Sequence, residues 1–234
     1  RQLPALHDVS LTIAKKEIVG IAAIEGNGQS ELIQVITGLR VPTNGKILID
    51  GIDILHSKIN IPISHIPEDR QKRGLVLDFT LKENILLGRQ DERQFNGAFS
   101  INQNAVDIFA EAVLQQFDVR PFNVNQRARN LSGGNQQKVV IGRELTKNAS
   151  VIIASQPTRG LDIGAIEFVH RTLLHERDCG KSILLVSSDL DELLLLSDRI
   201  AVMYEGRIVF LTDTQRTSQR ELGQYMTGTL RQTP

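Results

Sequence analysis

The sequence of 234 residues balances 27 Lys and Arg against 27 Asp and Glu, with 41% hydrophobic and 23% charged residues. Such a composition suits a globular chain with a core of its own, and it excludes a strong electrostatic field aimed at nucleic acid or an anionic membrane. The single Cys179 excludes an internal disulfide and suits a reducing compartment. Apolar runs such as SILLVSS (182–188) and ELLLLS (192–197) are far shorter than the roughly 20 residues that span a bilayer. No leader pattern is read at the start, and an opening Arg1 without Met is what a piece of a longer protein would show.

In chain order, VSLTI (9–13) alternates apolar and polar residues, which predicts a half-buried strand. EIVGIAAI (17–24) is nearly all apolar, as a strand covered on both faces is. After the glycine-bearing EGNG, Leu32, Val35, Ile36 and Leu39 recur at helical spacing. PTNG (42–45) predicts a turn and KILIDG (46–51) a short strand. From about 75 to 147 the pattern is helical, with one amphipathic helix on Val106, Phe109, Val113 and Phe117 and another in NQQKVVIGREL (135–145). SVIIAS (150–155) restores a buried strand. The helix after it carries Ile166, Val169, His170, Leu173 and Leu174 on one stripe. SILLVSS (182–188) leads into a helix over DLDELLLLSD, and RIAVMY and RIVFLT flank Glu205-Gly206 as a hairpin. Strands alternating with helices predict an α/β fold with a mainly parallel sheet covered on both faces. Residues 75–147 are expected to be an inserted helical subdomain within a single domain, 1–234. No internal repeat or low-complexity linker interrupts it.

AAIEGNGQSEL (22–32) fits the phosphate-loop pattern G-x-x-x-x-G-K-[ST] poorly. Over 23–30 it reads Ala23, Ile24, Glu25, Gly26, Asn27, Gly28, Gln29, Ser30. Gly26 and Gly28 keep the backbone freedom that lets amides wrap a phosphate, a helix start follows, and Ser30 remains to approach Mg²⁺. Gln29 takes the place of the lysine that neutralises the β- and γ-phosphates, and Glu25 and Glu31 bring negative charge. By itself a Gly-rich strand-to-helix turn is more often plain structure than a nucleotide site.

LSGGNQQK (131–138) is the more specific motif. Ser132 with the amides of Gly133 and Gly134 predicts a compact anion-binding nest at a helix start. Here the sequence resembles the ATP-binding cassette (ABC) ATPases, and neighbouring segments follow that family's order. In VIIASQPTRGLD (151–162), Pro157 and Thr158 match the family's second nucleotide motif, whereas Ser155 stands for the Mg²⁺ aspartate and Gln156 for the glutamate that polarises water. GLDIG resembles the loop that crosses the dimer, with Asp162 in the aspartate position. LLVSSDLDE (184–192) resembles the switch region, with Ser188 in place of histidine. SHIPEDRQKRG (64–74) lies where the family has a loop that meets Mg²⁺ and the membrane partner. Glu68, Asp69 and Arg70 are its expected permease-coupling residues, although a solvated charged loop is the commoner meaning of such a run. The aromatic that the family stacks on adenine has no counterpart before Ala23.

The resemblance extends over essentially the whole chain. IEGNGQSEL, IPEDRQKRGLVLDFTLKENILLG, LSGGNQQK and QPTRGLDIGAIEF together look like the second cassette of a tandem bacterial importer ATPase for nucleosides or simple sugars. It implies the ABC-ATPase nucleotide-binding fold with an antiparallel β subdomain and an inserted helical subdomain. The cofactors implied are ATP and Mg²⁺ in the assembled transporter, with weak or no binding at this chain's own site, which has no catalytic or metal-ligating residue. It further implies an intact first cassette in the same polypeptide or as a heterodimer partner, two permease subunits, an extracytoplasmic solute-binding lipoprotein, no nucleic acid, and a peripheral place on the cytoplasmic face of the bacterial membrane. Ser132, Gly133, Gly134 and Asp162 would then serve the partner's nucleotide. Two other readings compete. One is a non-catalytic nucleotide-binding or regulatory dimerisation module. The other is a soluble ABC protein of translation or DNA repair, against which the balanced charge and PEDR stand.

Overall fold

The computed structural model describes residues 5–230 apart from Lys58, Asn60, Ala98 and Phe99. They fall into two compact units. One takes in the chain up to His65, Ala149–Gln156 and the stretch from His170 onward; the other comprises Ile66–Asn148 and Pro157–Val169.

The first unit is organised by a six-stranded sheet. Its strands are β1 (Glu17–Ala22), β4 (Ile63–Ile66), β5 (Val151–Ser155), β6 (Ser182–Ser187), β7 (Arg199–Tyr204) and β8 (Arg207–Asp213), in the order β4-β5-β6-β1-β7-β8. β1 runs parallel to β6 and β7, and β5 parallel to β6. β7 and β8 pair antiparallel across Glu205-Gly206, both with positive φ, as the hairpin reading requires. The runs of β1, β5 and β6 are buried almost throughout because helices and chain cover both faces. Ile21, Ile153, Leu184, Val186, Ala201 and Met203 form one core with Leu32 and Ile33 of α1 (Gln29–Ile36).

Three expectations are corrected in this unit. Residues 9–13 form no strand. Val9, Leu11 and Ile13 do pack against the core while Ser10 and Thr12 face out, so the alternation is real. The neighbouring backbone is held by side chains instead of a ladder: Arg199 donates to the Thr12 carbonyl at 2.7 Å, and the Ser182 hydroxyl to the Ala14 carbonyl at 3.0 Å. Leu39 does not continue the buried stripe of α1. The helix stops at Ile36, Gly38 turns left-handed at φ 74°, and Leu39 is 71% exposed. KILIDG is split, with β2 (Leu48–Ile49) pairing antiparallel with β3 (Ile52–Asp53) around Gly51. A helix the periodicity did not single out, α7 (Gln219–Met226), buries Leu222 and Met226 and stacks Tyr225 on Phe210 with ring centroids 4.2 Å apart. The helix over 189–198 forms as α6 (Leu190–Leu196), capped by Asp189.

In the second unit, α2 (Leu81–Leu86) starts at a Thr80/Glu83 capping box. α3 (Gln103–Gln116) buries Val106, Ala110, Val113 and Leu114, and α4 (Gly133–Leu145) is buried along most of its length. α3 comes so close to α4 that a Cβ on Gly142 would lie 2.8 Å from Val113 Cγ1 and 3.0 Å from Phe117 Cδ2. The remaining long helix, α5 (Ile163–Asp178), has residues in both units; of the stripe read from the sequence it buries Val169 and Leu173, with Ile166, His170 and Leu174 half-buried, and it also buries Ala165.

The two leucines at the ends of the α1 stripe separate periodicity from packing. Leu32→Ala is expected to lower stability by about 2–5 kcal/mol. Leu39→Ala is expected to shift it by no more than about 0.5 kcal/mol. Urea unfolding of both variants checks this; equal losses would contradict the end of the stripe at Ile36.

Candidate functional site

Parallel pairing decides which residues meet. Ala22 of β1 lies in register with Ser187 of β6, and Ser155 of β5 with Val186. The carboxyl ends of three adjacent strands therefore finish together, the edge at which open α/β sheets bind ligands. The loop with Gly26, Gly28 and Gln29 leaves β1, Ser155-Gln156 ends β5, and Ser188 follows β6. Residues more than a hundred positions apart in sequence reach one edge, as the motif order predicts.

Gln156 and Ser188 are engaged with one another at this edge, and Gln29, Ser155, Gln156 and Ser188 are all neutral. Gln156 adopts a left-handed φ of 44°, and its Oε1 accepts from the Ser188 backbone N–H at 3.3 Å and the Ser188 hydroxyl at 3.4 Å. Ser155 is buried. Asp189 accepts from the N–H groups of Asp191 and Glu192 and so caps α6. No group of three or more His, Cys, Asp or Glu among the described residues is arranged to hold a metal ion.

The loop itself is closed from within. Gly26 and Gly28 stand at φ 94° and 102°, conformations that suit only glycine without strain. At Gly28 space is short as well, since a Cβ would lie 2.9 Å from the Ala5 carbonyl and 3.2 Å from Gly206 Cα. Gln29 is buried and folds back so that its Nε2 donates to the Ile24 carbonyl at 3.1 Å, leaving its Oε1 buried without a hydrogen-bond partner. Asn27 donates to the same carbonyl at 3.0 Å. It also accepts from Glu205 N at its Oδ1 (2.9 Å) and from Gly206 N at its carbonyl (3.0 Å). That the β7–β8 turn anchors this loop is not legible in the sequence, because nothing in the spacing pairs Asn27 with Glu205. Glu25 and Ser30 are exposed and Glu31 is half-buried. What the loop offers a phosphate is backbone N–H at the start of α1, not charge.

The second unit holds the other group of expected residues. Ser132 caps α4, its hydroxyl accepting from Asn135 N at 3.4 Å and Asn135 Nδ2 at 3.1 Å. Gly133 and Gly134 open the helix. A Cβ on Gly134 would meet Ala165 Cβ at 3.0 Å and Asp162 Oδ2 at 3.5 Å, so Ser132, Gly133, Gly134 and Asp162 lie together. Asp162 also caps the start of α5 by accepting from Ala165 N at 2.9 Å. The NQQK residues lock this arrangement. Gln136 donates to the Ala128 carbonyl at 3.1 Å and Gln137 to the Pro157 carbonyl at 2.8 Å, while Lys138 donates to the Asp118 carbonyl at 2.9 Å.

Glu68, Asp69 and Arg70 are all turned to partners inside this unit. Glu68 pairs with Arg159, and Arg70 Nη1 donates to the Arg159 carbonyl at 3.0 Å. Asp69 caps a single π-helical turn, Arg70–Gly74. The exposed residues of that turn are Gln71, Lys72 and Arg73. The Lys72 backbone N–H, helped by that of Gln71 and the Lys72 charge, holds the Asp69 carboxyl below the usual carboxylate range. A depressed folded value means that this cap is complete above the unfolded pKa of about 4 and is lost as pH falls through the lower folded value. In a carbon-detected NMR titration Asp69 should therefore titrate below ordinary aspartates, with the amide signals of Gln71 and Lys72 moving in step. An Asp69 midpoint at or above the ordinary value would contradict the cap.

Comparison with known proteins agrees with this geometry. Residues 6–159 match the family model described as ABC transporter. The chain is 47% identical over 232 residues to the guanosine import ATP-binding protein NupO of Bacillus subtilis, covering 97% of this chain and 46% of that protein. It is 42% identical over 224 residues to the nucleoside import ATP-binding protein NupA of Lactococcus lactis, covering 94% and 44%. It thus spans a little under half the length of each. A solved dimeric ATP-binding cassette in a post-hydrolysis state with ADP and Pi superposes with a TM-score of 0.75 at 26% identity, covering 90% of both chains. The chain belongs to the ABC transporter ATPase family, as a cassette homologous to nucleoside and sugar import ATP-binding proteins.

Proposed function

We propose that this chain is the partner-serving cassette of an asymmetric ATPase pair in a nucleoside or simple-sugar importer. The observation that carries the proposal is the contrast between two places. At the strand-end edge, the family's lysine, Mg²⁺ aspartate, water-polarising glutamate and switch histidine positions hold Gln29, Ser155, Gln156 and Ser188, all neutral. At the start of α4, Ser132, Gly133 and Gly134 are intact beside Asp162.

Phosphoryl transfer depends mainly on placing charge around the transferred group. Gln29 donates to the Ile24 carbonyl and brings no cation to the β- and γ-phosphates. Ser155 supplies no carboxylate for Mg²⁺, and the Gln156 amide, held against Ser188, is no base. A nucleotide at this loop would meet backbone donors alone, which supports weak binding and no turnover there. The nest at the start of α4 needs no charged side chain: aligned N–H groups and the Ser132 hydroxyl suit the terminal phosphate of a nucleotide held by another cassette. A pair of identical chains of this kind would match good nests with poor loops and leave no working site. The reading therefore requires an intact first cassette, whether in the same polypeptide or a separate one, and that cassette holds the Mg-ATP.

Homology to nucleoside-import proteins supports a nucleoside or simple sugar as the solute. Permeases and an extracytoplasmic binding lipoprotein would select it. No helix among the described residues is long and apolar enough to cross a membrane. Attachment to the cytoplasmic face would run through the permeases at the 68–74 stretch, where Lys72 and Arg73 are exposed.

The test places a bulky cation in the nest. In the reconstituted transporter with both cassettes, Ser132→Arg should lower ATPase activity by about a hundredfold or more, the scale on which lost transition-state donors act. Gln29→Ala should leave the rate near that of the unaltered complex. An ATPase rate unaffected by Ser132→Arg would overturn the proposal.

A further inference from the structure

The segment 68–74 and the start of α4 are joined at a point that neither motif explains. A Cβ built on Gly133 would lie 2.6 Å from Arg70 Nη2 and 3.4 Å from its Cζ. The Arg70 guanidinium thus occupies the space that a side chain at 133 would need. Gly133 is at the first turn of α4 and carries no left-handed φ, so glycine is not required by its backbone. The space that a side chain there would enter is taken by the end of Arg70. The guanidinium is fixed on its other side: Nη1 donates to the Arg159 carbonyl at 3.0 Å, and Nε is buried with no partner. Glu68 takes the side chain of that same Arg159. Two residues of one segment therefore grip Arg159 by its two ends, and one of them lies across the opening of α4.

A second set of contacts ties the same segment further along α4. Gln71 Nε2 donates to Gln136 Oε1 at 3.0 Å, and a Cβ on Gly74 would touch Val140 Cγ2 at 3.0 Å. These hold the helix body. Arg70 reaches the glycine at the helix start, where the nest's N–H groups point outward.

We propose that Arg70 is the positioning residue that transmits the placement of segment 68–74 to the Ser132–Gly134 nest. Displacing the segment moves the guanidinium, and with it the packing beside Gly133. This rests on the nest serving a partner's nucleotide, as stated under Proposed function. Arg70 touches no phosphate in this scheme; it sets where the nest's donors stand. Small misplacements of such donors are expensive, with losses of ten- to a hundredfold in rate from shifts of about an ångström.

The test uses the complete reconstituted importer, with ATPase measured with and without solute-loaded binding protein. Arg70→Ala should lower the stimulated maximal rate by about tenfold, with KM for ATP changed by less than about twofold and the melting temperature nearly unaltered. Gly133→Ala suits a helix start but displaces the guanidinium, so it should cause a similar loss while Arg70 is present. In the Arg70→Ala background it should add nothing, since the space is then free. Losses that multiply in the double variant, or an Arg70→Ala complex with full stimulation, would overturn the proposal while Ser132→Arg still abolished activity. If Ser132→Arg had no effect, the partner-serving reading would itself be the one to fall.

Discussion

The parallel registration of β5, β6 and β1 is the constraint on which the first unit depends. Hydrogen-bonded ladders fix Ala22 beside Ser187 and Ser155 beside Val186. The three connections that leave these strands must then share an edge, whatever residues they carry. The fold thus supplies the place for a nucleotide, and the chemistry of the place is set only by the side chains delivered to it. In this chain they are amides and hydroxyls: Gln29 donates to the Ile24 carbonyl, and Gln156 bonds Ser188. Such an edge keeps its shape without a ligand. Gln29, Ser155, Gln156 and Ser188 bring no charge to it.

Close approach plays the corresponding part in the second unit. Gly133 leaves room for Arg70, Gly134 for Ala165 and Asp162, and Gly142 for Val113 and Phe117. α4 is thereby held against α3, the 157–162 loop and the 68–74 segment by backbone proximity. The amides of Gln136 and Gln137 add hydrogen bonds whose loss would strand buried polar groups at roughly 1–3 kcal/mol each. Rigid support of this kind keeps a set of N–H donors pointing in one direction, which is the property an anion-binding helix start needs.

Much of this was legible in the sequence, and the limits have physical reasons. Buried strands such as 151–155 and 182–187 are unmistakable because both faces are covered. The 205–206 hairpin was readable because two strand patterns flank a glycine, which suits positive φ. Residues 9–13 misled because alternation reports which side chains face a core and says nothing of where the carbonyls bond; Arg199 and Ser182 take them. Leu39 misled because period alone cannot detect that Gly38 has already turned the chain. The residues that the motifs single out are brought together by the fold: Gln29, Ser155, Gln156 and Ser188 stand at one strand-end edge, and Ser132, Gly133, Gly134 and Asp162 stand together. The partners of Asn27 and Arg70 were not legible. Each depends on contacts between segments far apart in the chain, and no local pattern encodes them.

Counting nucleotides tests the central claim most directly. In the reconstituted importer, with ATP hydrolysis arrested after one turnover by a phosphate analogue that traps ADP, the trapped ADP can be measured per pair of cassettes. The account predicts one, held by the cassette that faces this chain's Ser132–Gly134 nest. Two trapped nucleotides per pair would show that the edge bearing Gln29, Ser155, Gln156 and Ser188 turns over ATP, and would contradict it.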